Sequence, residues 1–179
     1  MGALKMAMYI SLDGVYSDPA WTGPFWNDEL EQEQRDFLFS SEALVLGRIT
    51  YDGFAEAWPK MTDPHGFADK MNSMPKHVAS RTLKSASWNA SIMTDDVSAD
   101  VRKLKEQANN DLLIYGSGQL ATELAKRNLI DHYRLIVHPV VVGSGKRLFD
   151  GLGQTPFRLV STKKPTKTGV LILDFERAV

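Results

Sequence analysis

The chain has no cysteine among its 179 residues. That excludes a disulfide scaffold, a thiolate nucleophile and a cysteine-ligated metal. It also has almost no charge imbalance, since 21 Lys and Arg against 22 Asp and Glu leave a formal net charge of −1. A protein whose main partner is a nucleic-acid backbone wants a basic surface, so that class is disfavoured. No hydrophobic run approaches the roughly 20 residues that cross a bilayer. The amino terminus, "MGALKMAMYISLDG", reaches an acidic turn too soon for a signal peptide. Four scattered histidines give a metal site little support. Internal repeats and low-complexity linkers are missing as well. The expectation is a cytoplasmic protein with no membrane or nucleic-acid partner, folded as a single domain over residues 1–179.

What is present alternates between two periods. "LKMAMYISL" (4–12) places Met6, Met8, Ile10 and Leu12 on one face and Ala7, Tyr9 and Ser11 on the other, as a strand requires. "NDELEQEQRDFLF" (27–39) carries acids in its first turn and Leu30, Phe37 and Leu38 at helical spacing. "ALVL", "HVAS", "SIM" and "LLIY" read as short strands, "TYDGFAEAW" as a short helix and "HGFADKMNSMP" as loop with some helix. Ser98 is placed to cap "ADVRKLKEQA", and "QLATELAKRN" is a further helix. "HYRLIVHPVVVG" (132–143) reads as a long strand or one bent at Pro139, and "FRLVSTKK" and "VLILDFE" as a closing hairpin. Strands that alternate with helices and end in a hairpin predict an α/β fold, with a mostly parallel sheet and a carboxyl-terminal antiparallel hairpin. Ligands of such sheets bind outside the carboxyl ends of the strands.

Three of those strand ends are alike. Leu46 is followed by Gly47, Arg48 and Thr50, Ala79 by Ser80 and Arg81, and Tyr115 by Gly116, Ser117 and Gly118. Glycine lets an anion approach the backbone amides, a helix start offers unpaired N–H groups, and arginine adds a fork for phosphate oxygens. Each exit alone is also what any strand-to-helix turn needs. "GSG" lacks the G-x-G-x-x-G spacing of a dinucleotide fingerprint, and there is no Walker lysine, so a phosphate ligand would be held by a different fold.

In order and spacing these elements resemble the dihydrofolate-reductase-like superfamily, and most of all stand-alone relatives of the riboflavin-biosynthesis reductase, the RibD carboxyl-terminal domain. The likeness rests on "SLDG", "LGRITYDGF", "VASRTL" and "LIYGSGQLATELAKRNLIDHYRLIVHPVVVGSGKRLF", and covers nearly the whole chain. It implies an NADPH-dependent oxidoreductase that transfers hydride to a small planar heterocycle, a pyrimidine or pterin. Reduction of the riboflavin precursor is one case. Dihydrofolate reduction, or NADPH binding without turnover, are the alternatives. By the same resemblance Gly47, Arg48 and Thr50 hold phosphates, and Ser80 and Arg81 face the 2′-phosphate with Arg48. Gly116, Ser117, Gly118 and Gln119 hold the pyrophosphate and nicotinamide side. A homodimer is implied too, and "HYRLIVHPVVVG", long and apolar for a strand close to a sheet edge, argues the same way, since such edges are usually covered. The zinc deaminase that accompanies the full riboflavin enzyme carries a P-C-x-x-C signature, which a cysteine-free chain cannot supply.

Two acids compete for the chemistry. Asp13 ends the first strand, as a proton donor or as a D-G turn residue. Glu31 stands from Trp26 as the substrate carboxylate stands from tryptophan in dihydrofolate reductases, or else partners Asp28 in a capping box. Trp21 and Trp26 lie where the superfamily has a mobile lid, and either stack on a heterocycle or pack the lid to the body. Lys146 and Arg147, after a glycine turn, meet a substrate phosphate or form a solvated turn, with the turn favoured.

Overall fold

The computed structural model describes residues 1–93, 95–164 and 167–178. Eight strands form one sheet: β1 (Leu4–Ile10), β2 (Ser41–Gly47), β3 (Lys76–Ala79), β4 (Ala90–Met93), β5 (Asp111–Tyr115), β6 (His132–Val137), β7 (Phe157–Lys163) and β8 (Leu171–Arg177). Their order is β4-β3-β2-β5-β1-β6-β8-β7. Every pair from β4 to β6 is parallel, and β8 pairs antiparallel with both β6 and β7. The expected α/β sheet with an antiparallel end is therefore what forms. The α-helices are α1 (Asp28–Phe39), α2 (Arg48–Ala57), α3 (Phe67–Ser73), α4 (Val97–Gln107) and α5 (Gly118–Lys126).

Period-two alternation sends successive residues of each central strand to opposite faces. Leu4, Met6 and Met8 of β1, Ala43 and Val45 of β2, and Leu112 and Ile114 of β5 join Val101 of α4 and Ala121, Leu124 and Ala125 of α5 on one side. On the other side Ala7, Leu44, Leu46, Leu113 and Tyr115 meet Leu30 and Leu38 of α1, Tyr51 of α2 and Met71 of α3. Both faces are covered, as a parallel sheet requires.

Several local expectations change. β6 stops at Val137, ahead of Pro139, whose missing N–H cannot continue a ladder. It also lies inside the sheet, between β1 and β8, rather than near an edge. Asp96, not Ser98, caps α4, because its carboxylate accepts from the Ser98 and Ala99 N–H groups. Asn27 caps α1 by accepting from the Leu30 N–H, so Glu31 is not the partner of a capping box begun at Asp28. Among the described residues no helix is long and apolar enough to cross a membrane.

Candidate active site

The carboxyl ends of β1, β2, β3 and β5 open onto one cleft of about 1840 Å³. Gly47, Arg48, Thr50, Arg81, Gly116, Ser117, Gly118 and Gln119 all line it, so the three similar strand exits converge in space. Two helices start here with no side-chain cap, α2 after Gly47 and α5 after Ser117. Ser117, at φ 57° in the left-handed region, turns its hydroxyl back to accept the Gly47 N–H at 3.0 Å, which ties the two exits together. Gly116 has φ 64°, and a Cβ there would press on the Thr50 methyl at 3.4 Å. Arg48 is held by Asp52 at 3.3 Å and donates to the Thr82 hydroxyl, which brings it beside Arg81. Uncapped N–H groups, close backbone approach and two guanidinium groups make this half of the cleft an anion cradle. Tyr16 already sits over it: a Cβ on Gly118 would meet its ring at 2.4 Å.

The other half is built from β1, β5 and α1. Tyr9, Tyr115, Trp26, Glu31 and Gln34 line it, with Phe54, Trp58 and Phe67 along one wall. Trp58 stacks on Phe67 with ring centroids 5.4 Å apart. Glu31 Oε1 lies 2.9 Å from His65 Nδ1 at the rim. Asp63 stands close by, so Glu31, Asp63 and His65 bring one ligand atom each within 4.8 Å of one another. The Asp63 carboxylate is largely spent, because it accepts the N–H groups of His65, Phe67 and Ala68 at the start of α3. Deeper in, Gln34 donates to the Tyr9 hydroxyl at 2.8 Å, and burial raises the pKa of both Tyr9 and Tyr115.

A cradle for phosphates beside an aromatic, carboxylate-bearing pocket invites comparison with known proteins. The sequence profile of the RibD C-terminal domain matches residues 3–171. The chain belongs to the RibD C-terminal domain family. It is 33% identical over 132 residues to the uncharacterized protein YyaP of Bacillus subtilis, covering 72% of this chain and 70% of that one. Among solved structures, a putative riboflavin biosynthesis protein from a Shewanella species superposes with a TM-score of 0.81 at 19% identity and covers 99% of both chains. Dihydrofolate reductase from Enterococcus faecalis, solved with NADP(H), superposes with a TM-score of 0.68 at 14% identity, covering 99% of this chain and 98% of that one. The fold of this RibD C-terminal domain is thus dihydrofolate-reductase-like.

Three expected site residues take other parts in this RibD C-terminal domain. Asp13 does not line the cleft. Its carboxylate accepts from Ser11 Oγ at 2.6 Å and from the Val142 and Gly143 N–H groups, with Arg147 at 3.7 Å. The Ser11 hydroxyl and then those amides pull its pKa down to about 2, which makes it a fastener for the loop rather than a proton donor. Ser80 lies behind the surface: its hydroxyl accepts from Thr82 and Leu83 N–H groups and shapes the turn that presents Arg81. Trp21 packs edge-on against His138 at 5.4 Å and donates to Ser17 O, while Trp26 faces the cleft. The "GSGKRLF" turn is the receiving surface for the loop after β1, with Lys146 N–H donating to Ser17 Oγ and a Val15–Arg147 bridge.

Sequence reasoning missed Gln34, Tyr9 as a site residue, Tyr16 and His65. For Gln34 a signal existed. It occupies the middle of the Leu30, Gln34, Leu38 stripe, where a third apolar residue is the default.

Proposed function

We propose that this chain is an NADPH-dependent reductase that passes a hydride to a small planar heterocycle of the pyrimidine or pterin kind. The observation that carries the reading is the meeting of three glycine- and arginine-bearing strand exits at one cleft whose far half is aromatic and carboxylate-bearing. The residues fit the cofactor. The uncapped starts of α2 and α5 supply N–H groups for the pyrophosphate, and the glycines let it approach. Arg48 and Arg81 supply the positive charge that an extra 2′-phosphate calls for. When bound, the nicotinamide supplies the hydride. Glu31 accepts N–H groups of the ring and Trp26 covers it. His65, half exposed behind Glu31, links that carboxylate to bulk water for proton exchange.

The test begins with tryptophan fluorescence titrations. NADPH should bind more tightly than NADH, and Arg48→Ala with Arg81→Ala should remove most of that preference, at about 2 kcal/mol for each charge-assisted contact. An unchanged preference in the double variant would sink the cofactor assignment. Oxidation of NADPH is then followed by its near-ultraviolet absorbance against a panel of heterocycles. Binding without oxidation of any member would make the protein a cofactor-binding module instead.

A further inference from the structure

His138 is fully buried just past the end of β6, and half of its imidazole is committed. Nδ1 donates to Ile136 O at 3.0 Å, which places the hydrogen of the neutral ring on that nitrogen. Nε2 is buried as well and has no partner among the described residues. Three rings stand nearly perpendicular around the imidazole. Tyr9 of β1 is 5.5 Å away between centroids, Trp21 5.4 Å and Phe25 5.7 Å. Burial lowers the pKa of His138 below the ordinary 6.5.

Trp21 and Phe25 belong to a 3-10 helix, Pro19–Phe25, that has no buried residue of its own. It is bonded largely to itself, with the Thr22 hydroxyl donating to Pro19 O and the Trp21 indole to Ser17 O. To the body of the protein it offers the two rings on His138 and the Phe25 carbonyl, which accepts from Thr168 Oγ1 at 3.4 Å. Asp18 and Pro19 at its start and Trp26 just past its end line the cleft, so the segment forms part of one wall. An imidazolium beneath it would find no counter-charge. The groups facing His138 are Tyr9 and the Ile10 carbonyl from β1, the Ile136 carbonyl from β6, and Trp21 and Phe25 from the segment. Tyr9 is the titratable one, but burial keeps its phenol protonated, and its partner from α1 is the neutral Gln34. A second proton would have to sit on Nε2, and a buried charge with no partner is costly.

We infer that His138 is a pH-responsive latch for the Pro19–Phe25 segment: the neutral ring seats Trp21 and Phe25 against the body, and its protonation releases them and opens that wall of the cleft. The sign follows from linkage. The docked segment holds His138 neutral, whereas an undocked one lets the ring meet water and titrate near 6.5. Docking is therefore at full strength above 6.5. Below it, docking weakens about tenfold for each pH unit, until the docked ring itself takes up a proton. The latch stands apart from the reductase proposal, since nothing in it depends on what the cleft binds.

Fluorine NMR of the full chain labelled with 5-fluorotryptophan tests it, between about pH 8 and about pH 5. The Trp21 signal is identified by its loss in Trp21→Phe. It should move toward the position of a solvent-exposed indole as pH falls below 6.5, with the same midpoint as the His138 ring proton followed by proton NMR. Trp58 and Trp88, which pack on Phe67 and Lys76, should hold still. Trp21→Ala uncovers the imidazole and should raise the His138 midpoint toward 6.5. His138→Gln has nothing to protonate and should leave the Trp21 signal fixed across the range; if that variant does not fold, Trp21→Ala still decides. A wild-type Trp21 signal that ignores pH, a His138 midpoint unmoved by Trp21→Ala, or all four indoles moving together as in global unfolding would each overturn the inference. So would tighter docking in acid, the mark of an aromatic cage that holds the imidazolium instead.

Discussion

At the scale of single residues, the site shows that a chemically apt side chain is defined by what it already holds. Asp13 has the right chemistry for proton delivery, but its oxygens are engaged by Ser11, Val142 and Gly143. Its folded-state pKa of about 2 lies below the ordinary 3.8. A depressed carboxylate stabilises the fold above the unfolded value and loses that contribution as pH falls through the folded one. Asp13→Asn should therefore lower the thermal midpoint at neutral pH and weaken its decline between pH 3.8 and about 2. Calorimetric scans across that range read both effects, and parallel curves for the two proteins would contradict the fastener role. Tyr16 is the converse case, a residue with no obvious chemistry in a position that matters. Its ring lies against the start of α5, where a Cβ on Gly118 would meet it at 2.4 Å, and so fills space in the anion cradle. Tyr16→Ala clears that space, so NADPH should bind more tightly. Fluorescence titration checks it, and weaker binding would instead make the Tyr16 ring a cofactor contact.

At the scale of elements, the helices differ from their sequence pattern mainly at their ends. "DDVSAD" offers more than one capping residue, and geometry selects Asp96, whose carboxylate spans the Ser98 and Ala99 N–H groups at 3.0 Å each. Asp96→Ala should cost about 1 kcal/mol of unfolding free energy in urea, and Ser98→Ala should not show a capping loss of that kind. A capping effect at Ser98 instead would reverse the assignment. The strands were legible because period-two alternation is a property of the chain alone. Leu112 and Ile114 go to one face and Leu113 to the other whatever surrounds them. The strand exits were legible too, since glycine and arginine after an apolar run carry their own reason. Gln34 was legible only as a polar residue in an apolar stripe, because its partner Tyr9 is 25 residues away in the chain and brought to 2.8 Å only by packing α1 on β1. Glu31 was visible through its spacing from Trp26, whereas its partner His65 lies 34 residues further on, beyond any local pattern.

At the scale of the whole molecule, the sheet leaves two edges, β4 and β7. β4 is four residues long, which limits what can pair with it. β7 is seven residues long and carries Leu159 and Val160 at 51% and 48% exposure. The sequence argument for association rested on the stretch that became β6, but β6 is enclosed by β1 and β8 and offers no edge. The motive for association passes to β7, where a register shift between Leu159 and Ser161 already twists the strand, so edge-to-edge extension of the sheet is hindered. A second copy meeting β7 side chain to side chain would cover the two apolar residues without continuing the ladder, and a twofold pair is the commonest closed arrangement. We therefore propose a homodimer through this end of the sheet. Light scattering at micromolar concentration should give twice the mass of one chain, and Leu159→Lys with Val160→Lys should return it to one. The cleft lies at the carboxyl ends of β1, β2, β3 and β5, none of them β7, so the lysine variant should keep wild-type NADPH binding. A single-chain mass for wild type would end the proposal, and a dimer that survives both lysines would place the interface elsewhere.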